Sequence, residues 1–242
     1  VVFNPGCNIY FKHPFYRAVK FTEVGDRMSR VDLLYKLADS VKNDKLRSVV
    51  YQYLNKVLDS GTEKCVEFEE APGEIEEHHS YPGGLLEHSL SVAYISSYIA
   101  DLYENVYGFK INKDLVIACS ILHDVYKVFE FEVDNGLIGR CRNYYYPHDA
   151  RLSSEILVRE GLPELAKCIT EIHGYYGYTS IESLIVGLSD ILDAKFHSII
   201  QAKIRNYLSR AGRGGLEEFY EFMKSREWVK KDVLERILIT PP

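Results

Sequence analysis

The sequence predicts an all-α fold, a helical bundle with one small β-hairpin around residues 130–146. Three observations carry that prediction. Apolar residues recur at three- and four-residue spacing through most of the chain beyond Val31, the period of a helix with a buried face. Gly108, Gly161, Gly174, Gly177 and the run from Gly212 to Gly215 punctuate these stretches. Only Phe129 to Tyr146 departs from the pattern, alternating in part around Asp134-Asn135-Gly136, a hairpin-turn signal.

Residues 1–30 contain Asn4-Pro5-Gly6, His13-Pro14 and Gly25-Asp26 among mixed aromatics, which reads as an irregular or partly extended arm. From Val31 to Leu58 two apolar stripes (Val31, Leu34, Leu37, Ala38, Val41; then Leu46, Val49, Val50, Tyr53, Leu54, Val57) predict two helices broken near Asn43-Asp44. Gly61 to Gly84 is acidic and holds Pro72-Gly73 and Pro82-Gly83-Gly84, the composition of a connector. A helix follows from Leu85 to about Tyr107, and another runs from an Asn112 cap to about Phe129. Further helices are expected at Pro147 to Arg159, Pro163 to His173, Ser180 to about Ala211, and Leu216 to Ile239. The last has too many apolar positions for one narrow stripe, so it packs on the core or on another subunit of a homo-oligomer. The expected division is an arm with accessory helices (1–77), a central domain (78–211) and a C-terminal helix (212–242).

Length and composition narrow the classes. A chain of 242 residues, 46% hydrophobic and 26% charged, has the balance of a water-soluble globular protein and can bury a full core. No apolar run approaches the roughly 20 residues of a membrane-crossing helix, and the first 20 residues contain no secretory pattern. A net charge of -6 argues against a surface devoted to long duplex DNA. The five cysteines are widely spaced and form no CxxC pair, so neither a disulfide framework nor a zinc ribbon is expected, and a reducing cytoplasm fits best. Glutamine occurs only at Gln52 and Gln201 while Lys, Glu, Arg and Ile abound, a bias that resembles thermophile composition.

Chemistry concentrates where helices should be apolar. In Ile121-Leu122-His123-Asp124-Val125-Tyr126-Lys127, an aspartate facing the interior is costly unless it is hydrogen-bonded, paired or bound to a cation. The alternative is a His-Asp pair facing solvent beside the buried stripe. Other candidate ligands fall on neighbouring predicted helices: His88 just after Gly83-Gly84, His148 after Pro147, His173 before Gly174, and Asp190 inside Leu184 to Leu192. Taken singly, each is more often a satisfied core residue or a cap than a ligand; the set changes that balance.

The order His88, His123-Asp124, His148, His173, Asp190 resembles the HD-domain phosphohydrolases over about residues 78–200. The string His78-His79-Ser80-Tyr81-Pro82-Gly83-Gly84-Leu85-Leu86-Glu87-His88 is similar to the start of the HD domain in certain bacterial 3′-5′ exoribonucleases and related archaeal proteins. The resemblance implies an HD-domain helical bundle with a metal held by His88, His123, Asp124 and Asp190. Two-metal members add histidines at the positions of His148 and His173, and Asp124 then bridges. Gly174 departs from members that carry a further histidine there, which leaves a second ion to be completed by water or bound weakly. One or two divalent ions are implied; histidine and carboxylate ligands suit Mn, Fe, Ni, Co or Zn, and Mg suits a carboxylate-rich single site.

The implied chemistry is attack of metal-activated water on a phosphomonoester or phosphodiester, with no serine or cysteine nucleophile. Asp124 and Lys127 are the implied catalytic residues, and the resemblance has Lys127 reach a phosphate oxygen; the bland reading of Lys127 is a surface lysine. Arg151, three residues after His148, is a candidate for phosphate contact or a solvated side chain. His79 is a candidate substrate contact, with capping or packing as its alternative. Glu87 and Asp193 are candidate acceptors for imidazole N–H groups, and Cys119 is expected to be a core thiol. Tyr144-Tyr145-Tyr146, with Tyr175, Tyr176 and Tyr178, would offer stacking surfaces or plain packing.

The expected substrate is a phosphate-containing small molecule, such as a nucleotide, or a short single-stranded nucleic acid. RNA-degrading relatives usually carry a separate binding barrel before the HD domain, and residues 1–80 are too helical and acidic to resemble one, which favours the small molecule. The competing readings are a catalytically silent nucleotide-binding module and a helical scaffold without metal.

Overall fold

The computed structural model describes residues 28–240 except 135, 143 and 176. The expected N-terminal arm, Cys7, the hairpin's Asn135 and the candidate stacking residue Tyr176 therefore lie outside the described residues. The fold is all-helical with one two-stranded antiparallel sheet.

Helix α1 (Arg30–Asp39) starts at a capping box in which Ser29 and Asp32 each bond the other's backbone N–H. Helix α2 (Asp44–Leu58) is capped by Asn43, at the predicted break. The turn between them is tied down from elsewhere: Asp114 accepts the backbone N–H groups of Lys42 and Asn43 at 3.0 and 2.8 Å. Helix α3 (Gly84–Tyr107) leaves through Gly108 in the left-handed region, φ 72°. Helix α4 (Lys113–Leu122) starts at the Asn112 cap as expected, but it does not run to Phe129. The chain turns at His123-Asp124 and continues as a short 3-10 helix from Val125 to Phe129. The apolar pattern continues through that turn, because Val125, Tyr126 and Val128 are buried on the other side of it.

Strands β1 (Phe131–Asp134) and β2 (Leu137–Arg140) form the expected hairpin, with Phe131 opposite Arg140 and Asp134 opposite Leu137. Helix α5 (His148–Glu155) widens into a π-helical turn at Ile156–Glu160, and α6 (Pro163–Glu171) begins with the proline at its first position. Helix α7 (Ile181–Arg210) is capped by Ser180.

The predicted final helix is two helices, α8 (Leu216–Ser225) and α9 (Lys231–Ile239). Arg226 breaks them with φ 58°, although no glycine or proline marks the place. Its guanidinium reaches Glu87 at 2.6 Å and lies 5.0 Å from the Trp228 ring, so tertiary contacts set the break.

Two apolar clusters hold the molecule together. The larger joins α1 to α6 and the first half of α7, including Leu34, Leu54, Leu85, Ile121, Leu152 and Val186. The smaller packs Ile200, Ile204 and Leu208 of α7 against Tyr81, Phe219, Met223, Trp228 and Ile237. A further correction concerns the cysteines: Cys65 and Cys141 form a disulfide, with Cα atoms 6.1 Å apart. They are 76 residues apart in sequence, and spacing rules do not see such a pair. Cys65 N–H bonds the Val128 carbonyl and Cys141 N–H that of Glu130, which brings connector and hairpin side by side. Cys119 and Cys168 are free and buried. No helix among the described residues is long and apolar enough to cross a membrane.

Candidate metal centre

Three helices and one turn aim the candidate ligands at a common point. Gly83, φ 85°, delivers the chain into α3, and Gly84 sits against the backbone of His79, where a Cβ would lie 2.1 Å from the His79 carbonyl oxygen. His88 follows one turn later, fully buried. The end of α4 supplies His123 and the turn supplies Asp124, both about 1% exposed. Asp190 projects from the first half of α7.

His88 Nε2 lies 3.2 Å from His123 Nε2, 3.1 Å from Asp190 Oδ1 and 3.3 Å from Asp124 Oδ2. His123 Nε2 is 3.5 Å from Asp124 Oδ2 and 4.0 Å from Asp190 Oδ1. The second oxygens of both carboxylates face a neighbouring group. Asp124 Oδ1 lies 2.9 Å from His148 Nε2, and Asp190 Oδ2 lies 3.8 Å from His173 Nδ1. The His148 and His173 rings stand nearly perpendicular with centroids 5.8 Å apart. The six predicted ligands are thus brought together as two adjoining sets that share Asp124 and Asp190.

The outer nitrogens fix the inner ones. His123 Nδ1 lies 2.8 Å from the Ser120 carbonyl, which can only accept, so the neutral ring carries its proton there and turns a lone pair inward at Nε2. His88 Nδ1 donates to Asp193 Oδ2 at 2.7 Å, and Ser91 donates to the other oxygen. His148 Nδ1 donates to Glu130 Oε2 at 2.7 Å, and Glu130 is held in turn by Arg140. His88, His123 and His148 each therefore have a backing acceptor and an inward nitrogen, the arrangement that sets ligand tautomers around metals.

The electrostatics of the centre favour a cation among its carboxylates. Burial depresses the pKa of His123, so it stays neutral. Burial also opposes charge on His88, but its bonds to Asp124, Asp190 and Asp193 outweigh this and hold its pKa well above normal. His148 behaves alike, pushed up to about 9 by Asp124 and Glu130 against its burial. Without a cation the carboxylates draw protons onto these rings; a divalent ion would supply the same charge. Buried Asp124 Oδ2 is paired with the Lys127 ammonium at 2.8 Å but accepts no hydrogen bond of good geometry. The spacings around it match neighbouring ligands of an ion with bonds of about 2.1 Å, whose edges are about 3.0–3.4 Å. The donor set therefore fits one or two divalent ions.

Lys127 is not a surface lysine. It is 3% exposed, bonds the Gly73 carbonyl at 2.7 Å and stands 2.8 Å from Asp124 Oδ2. Arg151 makes no ion pair with the carboxylates of the centre; it lies near Glu155, 3.7 Å away. It is exposed, packed 4.3 Å from the Phe129 ring, and lines an open cavity of about 180 Å³ with Tyr126, Glu130, Tyr144, Tyr145, Tyr146 and His148. Glu87 does not face an imidazole; it binds Arg30, Arg226 and the Tyr81 hydroxyl. Tyr178 donates its hydroxyl to the Ile172 carbonyl at 3.3 Å, while Tyr175 is 84% exposed. Sequence reasoning gave no role to His78, Glu130 or His197. His197 had a readable signal, since it falls one helical turn after Asp193; Glu130, at the foot of the hairpin, had none.

The sequence model of the HD domain matches residues 85–195. Dihydroneopterin 2′,3′-cyclic phosphate phosphodiesterase of Methanocaldococcus jannaschii is 32% identical over 180 residues, covering 70% of this chain and 71% of that protein. The chain belongs to the HD-domain family. HD-domain proteins of this kind are metal-dependent phosphohydrolases, and this chain is a hydrolase of that class. The 3′-5′ exoribonuclease YhaM of Listeria monocytogenes is 33% identical over 107 residues, 41% of this chain and 30% of that protein. The YhaM of Listeria innocua matches to the same extent, 33% over 107 residues. No solved structure matches the chain.

Proposed function

We propose that this HD-domain protein is a phosphodiesterase with a binuclear centre, acting on a small, nucleotide-like cyclic or linear phosphodiester. The observation that carries this reading is the sharing of both carboxylates between two ligand sets. Asp124 and Asp190 each turn one oxygen toward His88 and His123 and the other toward His148 or His173. Bound there, divalent ions neutralise phosphate charge and make water nucleophilic near neutral pH. The chain's own groups do the rest. His88, His123 and His148 keep their lone pairs inward because Asp193, Ser120 and Glu130 hold their outer N–H groups. The Lys127 ammonium, beside Asp124, neutralises a phosphate oxygen, and His79 lies behind His88 with ring centroids 5.2 Å apart. The cavity walled by Tyr144, Tyr145, Tyr146 and Arg151 opens beside His148 and suits a planar heterocycle stacked on its aromatics.

A small cyclic phosphodiester is favoured over RNA because the phosphodiesterase relative spans most of this chain, whereas the exoribonuclease relatives share only 107 residues. The proposed division is 1–77, the chemical unit 78–211, and 212–242, with described helices α1 and α2 packed on the unit. Exposed Leu188, Ile191, Leu192 and Phe196 along α7 support a homo-oligomer. A cytoplasmic site and a thermophilic source are proposed together; the Cys65–Cys141 disulfide is compatible with that pairing, because proteins of hyperthermophiles keep disulfides inside the cell. Hydrolysis of 2′,3′-cyclic nucleotides and short oligoribonucleotides, assayed with Mn, Fe, Ni, Co, Zn or Mg supplied singly, tests the reading. Metal-dependent opening of the cyclic ester, abolished in His123→Ala, is expected; turnover of RNA alone would overturn the substrate assignment.

A further inference from the structure

Behind His88 lies a third group of metal-capable side chains: His79, Asp193 and His197. Asp193 and His197 are four residues apart on α7 and share one face. His79 comes from the connector, and its placement is built rather than incidental. Its backbone is left-handed, φ 49°, where a non-glycine residue carries strain. Gly73 and Gly84 close on it so tightly that a Cβ on either would lie 2.6 Å from its Cβ or 2.1 Å from its carbonyl oxygen.

The ring of His79 is 0% exposed and stacks on His197 with centroids 3.7 Å apart. Its Nε2 lies 3.6 Å from Asp193 Oδ2, beyond hydrogen-bond distance, and has no partner. His197 Nδ1, also buried, has none either. Two buried imidazole nitrogens without partners, next to a buried carboxylate, are costly. The 3.6 Å gap, too long for a hydrogen bond, is close to the roughly 3.4 Å edge of a tetrahedral ion site with bonds near 2.1 Å.

We propose that His79, Asp193 and His197 bind a further divalent cation of the zinc class, separate from those of the catalytic centre. Water completes its coordination. The same Asp193 oxygen that faces His79 accepts the His88 Nδ1 proton at 2.7 Å, so the ion backs the catalytic ligand His88 through one carboxylate. It also fastens the connector that carries His79 to the middle of α7, where the two apolar clusters meet.

Crystals of the full chain grown with Zn²⁺ and measured on both sides of the zinc edge test this directly. An anomalous peak among His79, Asp193 and His197 is expected, distinct from any peak at His88, His123 and Asp124. Elemental analysis of a folded His197→Ala variant should find one ion fewer per chain than in the unaltered protein. Peaks at the His88 group with none at His79, or an unchanged metal content in His197→Ala, would overturn the proposal. If His197→Ala does not fold, diffraction from the unaltered protein decides alone. A peak at His79 without one at His88 would sink the catalytic reading and leave this site standing.

Discussion

Glu130 shows how much of the centre rests on residues that touch no substrate. Its carboxylate accepts both the ring N–H and, at 3.4 Å, the backbone N–H of His148. Arg140 holds its other oxygen. Glu130→Gln keeps an acceptor but removes the charge that makes His148 a better ligand. The ion on the His148 side should then bind roughly 10–100-fold more weakly. Isothermal titration with Mn²⁺ would read this as one weakened class of site beside an unchanged one. At this scale the six candidate ligands could be named from the sequence, because their order resembles that of the HD-domain phosphohydrolases. Glu130 could not, since only the folded hairpin base brings it beside His148.

Among the elements, the start of α3 is the most constrained. Gly84 approaches the His79 carbonyl so closely that any side chain must displace the connector. Gly84→Ala is expected to cost roughly 1–3 kcal/mol by overpacking and to loosen metal binding with it. Chemical denaturation of the metal-free protein isolates the first effect, and loss of only the metal-bound state's stability would contradict this account. Periodicity located nearly every helix, and Asn112 was readable as a cap; the structure adds caps at Asn43 and Ser180. Periodicity failed at the His123-Asp124 turn and at Arg226. In both places buried apolar residues lie on either side of the break, so the stripe continues although the helix does not.

For the whole molecule, the Cys65–Cys141 disulfide and the Lys127 side chain each fasten the connector to its surroundings. The disulfide ties the connector to the hairpin, and Lys127 ties the connector's Gly73 to the centre. Cys65→Ser with Cys141→Ser should lower stability by about 2–4 kcal/mol through the freed unfolded chain. Thermal unfolding under non-reducing conditions checks this, and an unchanged midpoint would show that the bridge contributes nothing. Pairing over 76 residues cannot be read from spacing, which is why the sequence pointed to free thiols.

In the proposed centre, Asp124 and Asp190 are shared between two ion sites. The most direct measurement is metal content per chain, by elemental analysis, of the unaltered protein and His148→Ala prepared identically. One ion fewer is expected in His148→Ala, with the ion at His88 and His123 retained. Equal metal content in the two proteins would contradict the sharing.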